Sequence, residues 1–143
     1  MLVWSSVNES DYNYMVGWQE FLTDTGYHIY DIEEQIYNDQ YHYAGTIDRG
    51  GCIRSEDWLI DIKTGGIAPY VRLQLSLYAA AYYTGDALAN ARMGIVHLRA
   101  GKKKQYAFKE VQYTEDALAI VAAWQWKHGK KGWIGERDGT DST

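Results

Sequence analysis

Within sixteen residues the chain carries two carboxylates and an ammonium that could act on one substrate: Asp48, Asp61 and Lys63. Asp61 and Lys63 stand two apart in the otherwise apolar run WLIDIK. Alternate residues of a strand share a face, so their side chains project together. Pairing of this strand with the segment holding Asp48 would bring in a second carboxylate. Two carboxylates crowded into a half-buried place repel each other and raise at least one pKa unless a cation lies between them. An all-oxygen donor set of this kind suits Mg²⁺ or Mn²⁺ better than zinc. A lysine beside it could hold a water, lower that water's pKa through its charge, or steady charge building on a phosphate oxygen. That is the chemistry of phosphodiester hydrolysis. Asp-x-Lys by itself also occurs on many solvent-facing strands, so the triplet draws its meaning from its surroundings.

Those surroundings read as follows. Tyr14, Met15, Trp18, Phe21 and Leu22 recur at spacings of three and four, which predicts a helix over 12–22, capped by Ser10 or Asp11 and stopped by Gly26. The β-branched and aromatic run 27–37 predicts a strand, followed by a turn at Asn38 and Asp39. Two more strands are expected at 42–49 and 58–64, separated by a Gly50-Gly51 turn, the three forming an antiparallel meander. After Pro69, Leu73, Leu77, Ala80 and Ala81 give a helical stripe. Strands at 93–99 and 105–111 flank an AGKKK turn. Thr114 then opens a last helix that ends at Gly129. Helix, three strands, helix, two strands, helix implies an α+β domain of the α/β/α kind, a central mixed sheet of about five strands flanked by helices. We expect one domain over 1–135 and a polar tail over 136–143.

With 143 residues, 46% of them hydrophobic and 23% charged, the composition excludes disorder for most of the chain and leaves room for a sizeable core. No apolar run reaches the roughly 20 residues of a membrane helix, and the N-terminus lacks the order of a secretory signal. A soluble, intracellular, cytoplasmic protein with no membrane partner is the expectation. The lone Cys52 has no internal disulfide partner and reads as a hairpin residue. The net charge of −5 hides a division. Residues 1–62 hold twelve acids against two arginines, a net of −10, whereas residues 99–131 hold eight Lys or Arg against three acids, a net of +5. The first half could hold hard cations and the second could face a polyanion.

The segments GTIDR (45–49), DIKTG (61–65) and QLSLY (74–78), in that order, resemble the RecB-like branch of the PD-(D/E)XK nuclease superfamily, which includes phage and lambda-type exonucleases. That family shows Gly-x-x-Asp, then Asp-x-Lys-Thr-Gly, then Gln-x-x-x-Tyr, and the likeness covers about residues 12–111. The resemblance implies a restriction-endonuclease-like core in which Asp48 and Asp61 are metal ligands, the Ile62 carbonyl is a further ligand and Lys63 is the catalytic lysine. Gln74 and Tyr78 would contact the site or the DNA; one helical turn apart, they share a helix face. The family also uses an upstream acid, for which Glu33 fits better than Glu34 by strand parity. Relatives commonly carry an earlier helix whose His or Glu completes the metal site. Glu20 and His28 could substitute here, though each reads more simply as a surface residue.

The implied function is a Mg²⁺- or Mn²⁺-dependent DNA nuclease, an exonuclease of recombination or repair of the phage type. Lys102, Lys103 and Lys104 at the hairpin turn could hold DNA phosphates through sequence-neutral contacts. Lys127, Lys130 and Lys131 could do the same or simply complement a helix C-terminus. By analogy with the family, a homo-oligomer could clamp the DNA, and a recombination protein could be a partner. Two other readings stay open: a catalytically weak nucleic-acid-binding module of the same fold, and an aromatic-rich protein-interaction domain. The aromatic share, 15%, motivates the second.

Overall fold

The computed structural model describes residues 8–129. In chain order these form α1 (Glu9–Thr25), β1 (His28–Ile32), β2 (Gln35–Asn38), β3 (Tyr43–Thr46), β4 (Arg49–Ile53), β5 (Glu56–Lys63), α2 (Val71–Tyr82), α3 (Asp86–Asn90), β6 (Arg92–Leu98), β7 (Tyr106–Val111) and α4 (Asp116–His128). Five strands make one mixed sheet in the order β1-β4-β5-β6-β7, and β2 pairs with β3 in a separate ribbon. Only β5 and β6 run parallel. A parallel neighbour needs a crossover, which α2 and α3 supply. The protein is an α+β fold with helices on a central mixed sheet, as its element order implies.

Alternation along β5 sorts its side chains between two cores. Leu59 packs with Met93, Ile95 and the α2 residues Val71, Leu75 and Ala79. Trp58 and Ile60 pack with Val96, Leu98 and Phe21 of α1 on the opposite face. Phe21 is fully buried, and its ring meets Tyr106 and Phe108 edge-on. Burial of such a ring contributes about 1.5–3 kcal/mol. At the end of the sheet away from Lys63, Arg92 lies over the Trp58 ring and pairs with Glu110 and Glu56, tying β5, β6 and β7 together.

Several local expectations need correction. α1 is longer than 12–22, and its cap is Asn8, whose side chain accepts from the Asp11 N–H; Gly26 closes it in the left-handed region at φ 68°. The expected strand 27–37 is two strands, broken where Glu33 takes φ 48°. The expected strand 42–49 also breaks, at Ile47 and Asp48. Gly50 and Gly51 form no turn; they lie buried inside β4. A β-carbon on Gly51 would stand 2.1 Å from the His28 carbonyl oxygen, and one on Gly50 would stand 2.5 Å from the Tyr82 hydroxyl. The two glycines therefore serve close approach. The chain reverses instead at Arg54, φ 58°. Cys52 is accordingly a strand residue, in contact with the Tyr30 hydroxyl. The short α3 carried no periodic signal that would have predicted it. Lys130, Lys131 and the 136–143 tail lie outside the described residues.

Candidate functional site

β4 begins at Arg49, opposite Ile60 of β5, so Asp48 lies one step beyond the ladder, opposite Asp61. Past that point β5 has no backbone partner on this side. The Asp48 carboxylate fills the gap: its Oδ2 accepts the Ile62 N–H at 2.8 Å. Asp48 thus sits in a bend and not in a strand, as its pattern had suggested, and the bend is what lets a side chain take the place of a backbone carbonyl. Its own main chain is braced from two sides. The Asp48 carbonyl accepts from the Glu33 N–H at 2.9 Å and from Arg49 Nη1 at 2.7 Å. The Arg49 guanidinium in turn lies over the Trp18 ring.

Asp61 is 6% exposed. Its Oδ2 stands 3.1 Å from Lys63 Nζ. The two groups form a partly buried ion pair, so this oxygen faces a cation. Burial pushes the Asp61 carboxyl up to about 6; Lys63 opposes the rise, and the neighbouring Asp48 carboxylate adds to it. Burial works against the Lys63 charge as well, yet the Asp61 and Asp48 carboxylates hold its ammonium above the ordinary lysine value. Exposed Tyr70, just before α2, is close enough to act on that charge.

This geometry fits a hard cation. The buried Asp61 carboxylate faces a single ammonium, and a second carboxylate stands beside it. The N–H and C=O of a strand residue point toward the same neighbouring strand. The Ile62 carbonyl is therefore directed to the Asp48 side, where its N–H goes. Two carboxylates and a carbonyl are a donor set for Mg²⁺ or Mn²⁺, which commonly complete their shell with water. Among the described residues no third His, Cys, Asp or Glu is gathered with them into a metal-binding group. Glu33 in particular is exposed at the β1–β2 break, with only its backbone bonded to Asp48. Strand parity does not apply at that residue, because the backbone takes the left-handed region there. Glu34 is exposed too, and its carbonyl accepts from the Ile47 N–H.

Gln74 and Tyr78 share a face of α2, as their spacing predicts, and Gln74 Nε2 donates to the Tyr78 hydroxyl at 3.0 Å. The Tyr78 ring lies on Gly45, where a β-carbon would come within 2.6 Å of it. The glycine of Gly-x-x-Asp is thus the seat of the tyrosine of Gln-x-x-x-Tyr, which links two of the three segments in space. Lys102, Lys103 and Lys104 are exposed on the β6–β7 turn, but Lys104 pairs with Asp24 of α1 at 2.5 Å. Glu20 accepts from the Gln105 N–H of the same hairpin, and His28 is an exposed strand residue packed on Tyr30. Neither Glu20 nor His28 stands among the site carboxylates.

Sequence reasoning missed His97. The parallel register sets it beside Lys63, on the same sheet face. No signal within MGIVHLR could reveal this, because the β5–β6 pairing is a property of the crossover.

No protein-family model and no curated protein matches the chain. A solved structure described as "Crystal structure of SSO0001" is similar over 86% of this chain, at a TM-score of 0.45 and 16% identity. This chain spans 61% of that one's length. Among the described residues no helix is long and apolar enough to cross a membrane.

Proposed function

We propose that the chain is a metal-dependent deoxyribonuclease of the RecB-like kind, acting as an exonuclease in recombination or repair. The observation that carries this reading is the buried Asp61 carboxylate, with Asp48 beside it and Lys63 Nζ 3.1 Å from its Oδ2. Asp48, Asp61 and the Ile62 carbonyl would hold Mg²⁺ or Mn²⁺. Glu33 is the candidate for a third carboxylate, because its backbone is already bonded to that of Asp48. When bound, the ion supplies positive charge against a phosphate and lowers the pKa of a water beside it.

The chain's own groups do the rest. Lys63 Nζ donates to the attacking water or to the phosphate oxygen on which charge develops. Asp48 is fixed through the Ile62 N–H and Arg49, so its remaining oxygen would be available to hold the ion. Gln74 and Tyr78 offer polar tips toward the DNA. Partner proteins and a clamping oligomer belong to the same reading by analogy alone.

Purified protein incubated with linear and circular duplexes, with and without Mg²⁺ or Mn²⁺, tests the proposal. Linear DNA is expected to be degraded only when the metal is present. Asp61→Asn and Lys63→Ala should each abolish that degradation while leaving the far-ultraviolet circular dichroism spectrum of the folded protein. Full activity in either variant would reject the assignment. A binding module without a working site would show no Asp61-dependent heat of Mn²⁺ binding in calorimetry. The protein-interaction reading has one observation in its favour: Ile120 and Trp124 of α4 are each more than half exposed. It predicts neither nuclease activity nor salt-sensitive DNA affinity.

A further inference from the structure

The cover that α2 lays over one face of the sheet ends at the same level on two neighbouring strands. Met93 and Ile95 of β6 pack beneath α2 with Leu59 of β5. Alternate residues of a strand share a face, so Asp61 and Lys63 of β5 and His97 of β6 follow them on that face. Along β5, Leu59 and Asp61 are buried and Lys63 is half-buried. Along β6, every residue from Met93 to Leu98 is buried except His97, which is half-buried. These two half-buried residues are register partners across the parallel pair. They stand one strand spacing apart, about 5 Å, where the cover gives way to solvent beside Asp61.

The groups around His97 are small or already engaged. Its partner on the far side, in β7, is Ala107, too short to cover an imidazole. Arg99, just past β6, spends its guanidinium on the Lys104 and Tyr106 carbonyls at 3.1 and 3.2 Å. The His97 ring makes no hydrogen bond among the described residues, and neither of its nitrogens is sealed from solvent. An imidazole carries an N–H donor in either protonation state. A free donor next to an ammonium, one strand away from a carboxylate pair, suits a phosphodiester. An ion held by Asp48 and Asp61 would meet one phosphate oxygen, and the flank away from Asp48 offers Lys63 and His97 to another.

We propose that His97 is a catalytic residue of this site, donating a hydrogen bond to the non-bridging phosphate oxygen that Lys63 also faces. The phosphodiester then lies across β5 and β6, with the carboxylates on one flank and the imidazole on the other. His97 does not ligate the ion. The inference rests on the nuclease reading and adds to it the group that holds the far side of the phosphate.

Steady-state cleavage of linear duplex DNA with Mg²⁺ by His97→Leu and His97→Gln tests it. Leu fills the space of the ring without a donor, whereas Gln keeps an N–H, and circular dichroism checks that both fold. His97→Leu is expected to lose roughly ten- to a hundredfold in kcat, the range for a hydrogen bond to a charged group, and His97→Gln to regain most of it. The heat of Mn²⁺ binding in calorimetry should match that of the unaltered chain in both variants. Cleavage by His28→Gln, altered at an exposed residue of β1 away from the site carboxylates, should be unchanged. A kcat for His97→Leu equal to that of the unaltered protein, or a His97→Gln as impaired as His97→Leu, would overturn the role while leaving the nuclease reading standing. Loss of the Mn²⁺ heat in folded His97→Leu would do the same. A second measurement uses the unaltered chain, with Ca²⁺ in place of Mg²⁺: the His97 ring resonance, assigned by its absence from His97→Gln, should shift when a single-stranded oligodeoxynucleotide binds. A resonance unmoved at saturation would also overturn the role. Absence of metal-dependent cleavage by the unaltered protein would overturn both readings.

Discussion

At the scale of single residues, the site is a local conflict that the fold maintains. Asp61 is buried beside a second carboxylate, with one ammonium to offset the two charges. Two like charges in such a place destabilise the folded chain unless a cation separates them. Removing one charge while keeping the shape should therefore stabilise the protein in the absence of metal. In EDTA, Asp61→Asn is expected to melt several degrees above the unaltered chain, equivalent to about 1–2 kcal/mol. A thermal scan followed by circular dichroism reads this directly, and a lower melting temperature would show that Asp61 supports the fold and does not burden it. Part of this arrangement was legible in the sequence. Asp61 and Lys63 share a face because strand parity requires it, and Gln74 meets Tyr78 because of helical spacing. The placement of Glu33 and of His97 was not legible, since the first depends on a left-handed turn and the second on a parallel pairing of residues 34 positions apart, Lys63 with His97.

At the scale of elements, the helices were readable from periodicity, and the strand breaks were not. Hydrophobic spacing defines α1 and α2 to within a few residues because each buries a stripe, whereas α4, in which Ala117 alone is buried, was signalled by the residues at its two ends. The first two expected strands break internally for one reason: a run of β-forming residues says nothing about where the ladder stops. It stops at Glu33 and Asp48, and those interruptions build the site. Glycines misled in the same way. Gly50 and Gly51 resemble a turn, yet they let β4 lie against β1 and α2. Gly17 is the helical counterpart. It is buried in mid-α1, where a β-carbon would come within 2.2 Å of the Gln105 backbone oxygen. In an exposed helix interior, Gly→Ala stabilises by about 1 kcal/mol. Here the helix would have to lift away from the β6–β7 hairpin, so Gly17→Ala is expected to destabilise by about 2 kcal/mol or more. Gly65→Ala and Gly66→Ala, with nothing within 4 Å, should be nearly neutral. Urea denaturation of the three variants makes the comparison. Equal stability of Gly17→Ala and the unaltered chain would mean that α1 does not pack this closely.

For the whole molecule, the many tyrosines are structural parts as much as surface ones, and this gives the fold an alkaline limit. Tyr27 is buried and donates to the Trp58 carbonyl at 3.0 Å, and Tyr83 is buried between α2 and the sheet. Burial raises the pKa of both phenols, and it pushes Tyr43 up to about 12, against an ordinary value of 10.0. A phenol held above its unfolded value contributes stability that is fully present below that value and is lost as pH rises through the folded one. Above pH 10 the unfolded chain releases protons that the folded chain keeps. Stability should then fall by about 1.4 kcal/mol per pH unit for each of Tyr27 and Tyr83. The fold should give way before these phenols ionise within it. Absorbance of tyrosinate near 295 nm, followed together with far-ultraviolet circular dichroism from pH 9 upward, is expected to show a cooperative final rise that coincides with loss of the folded spectrum. A rise that completes while the spectrum stays folded would mean that water reaches Tyr27 and Tyr83, and that the two cores packed on either face of the sheet are looser than their burial indicates.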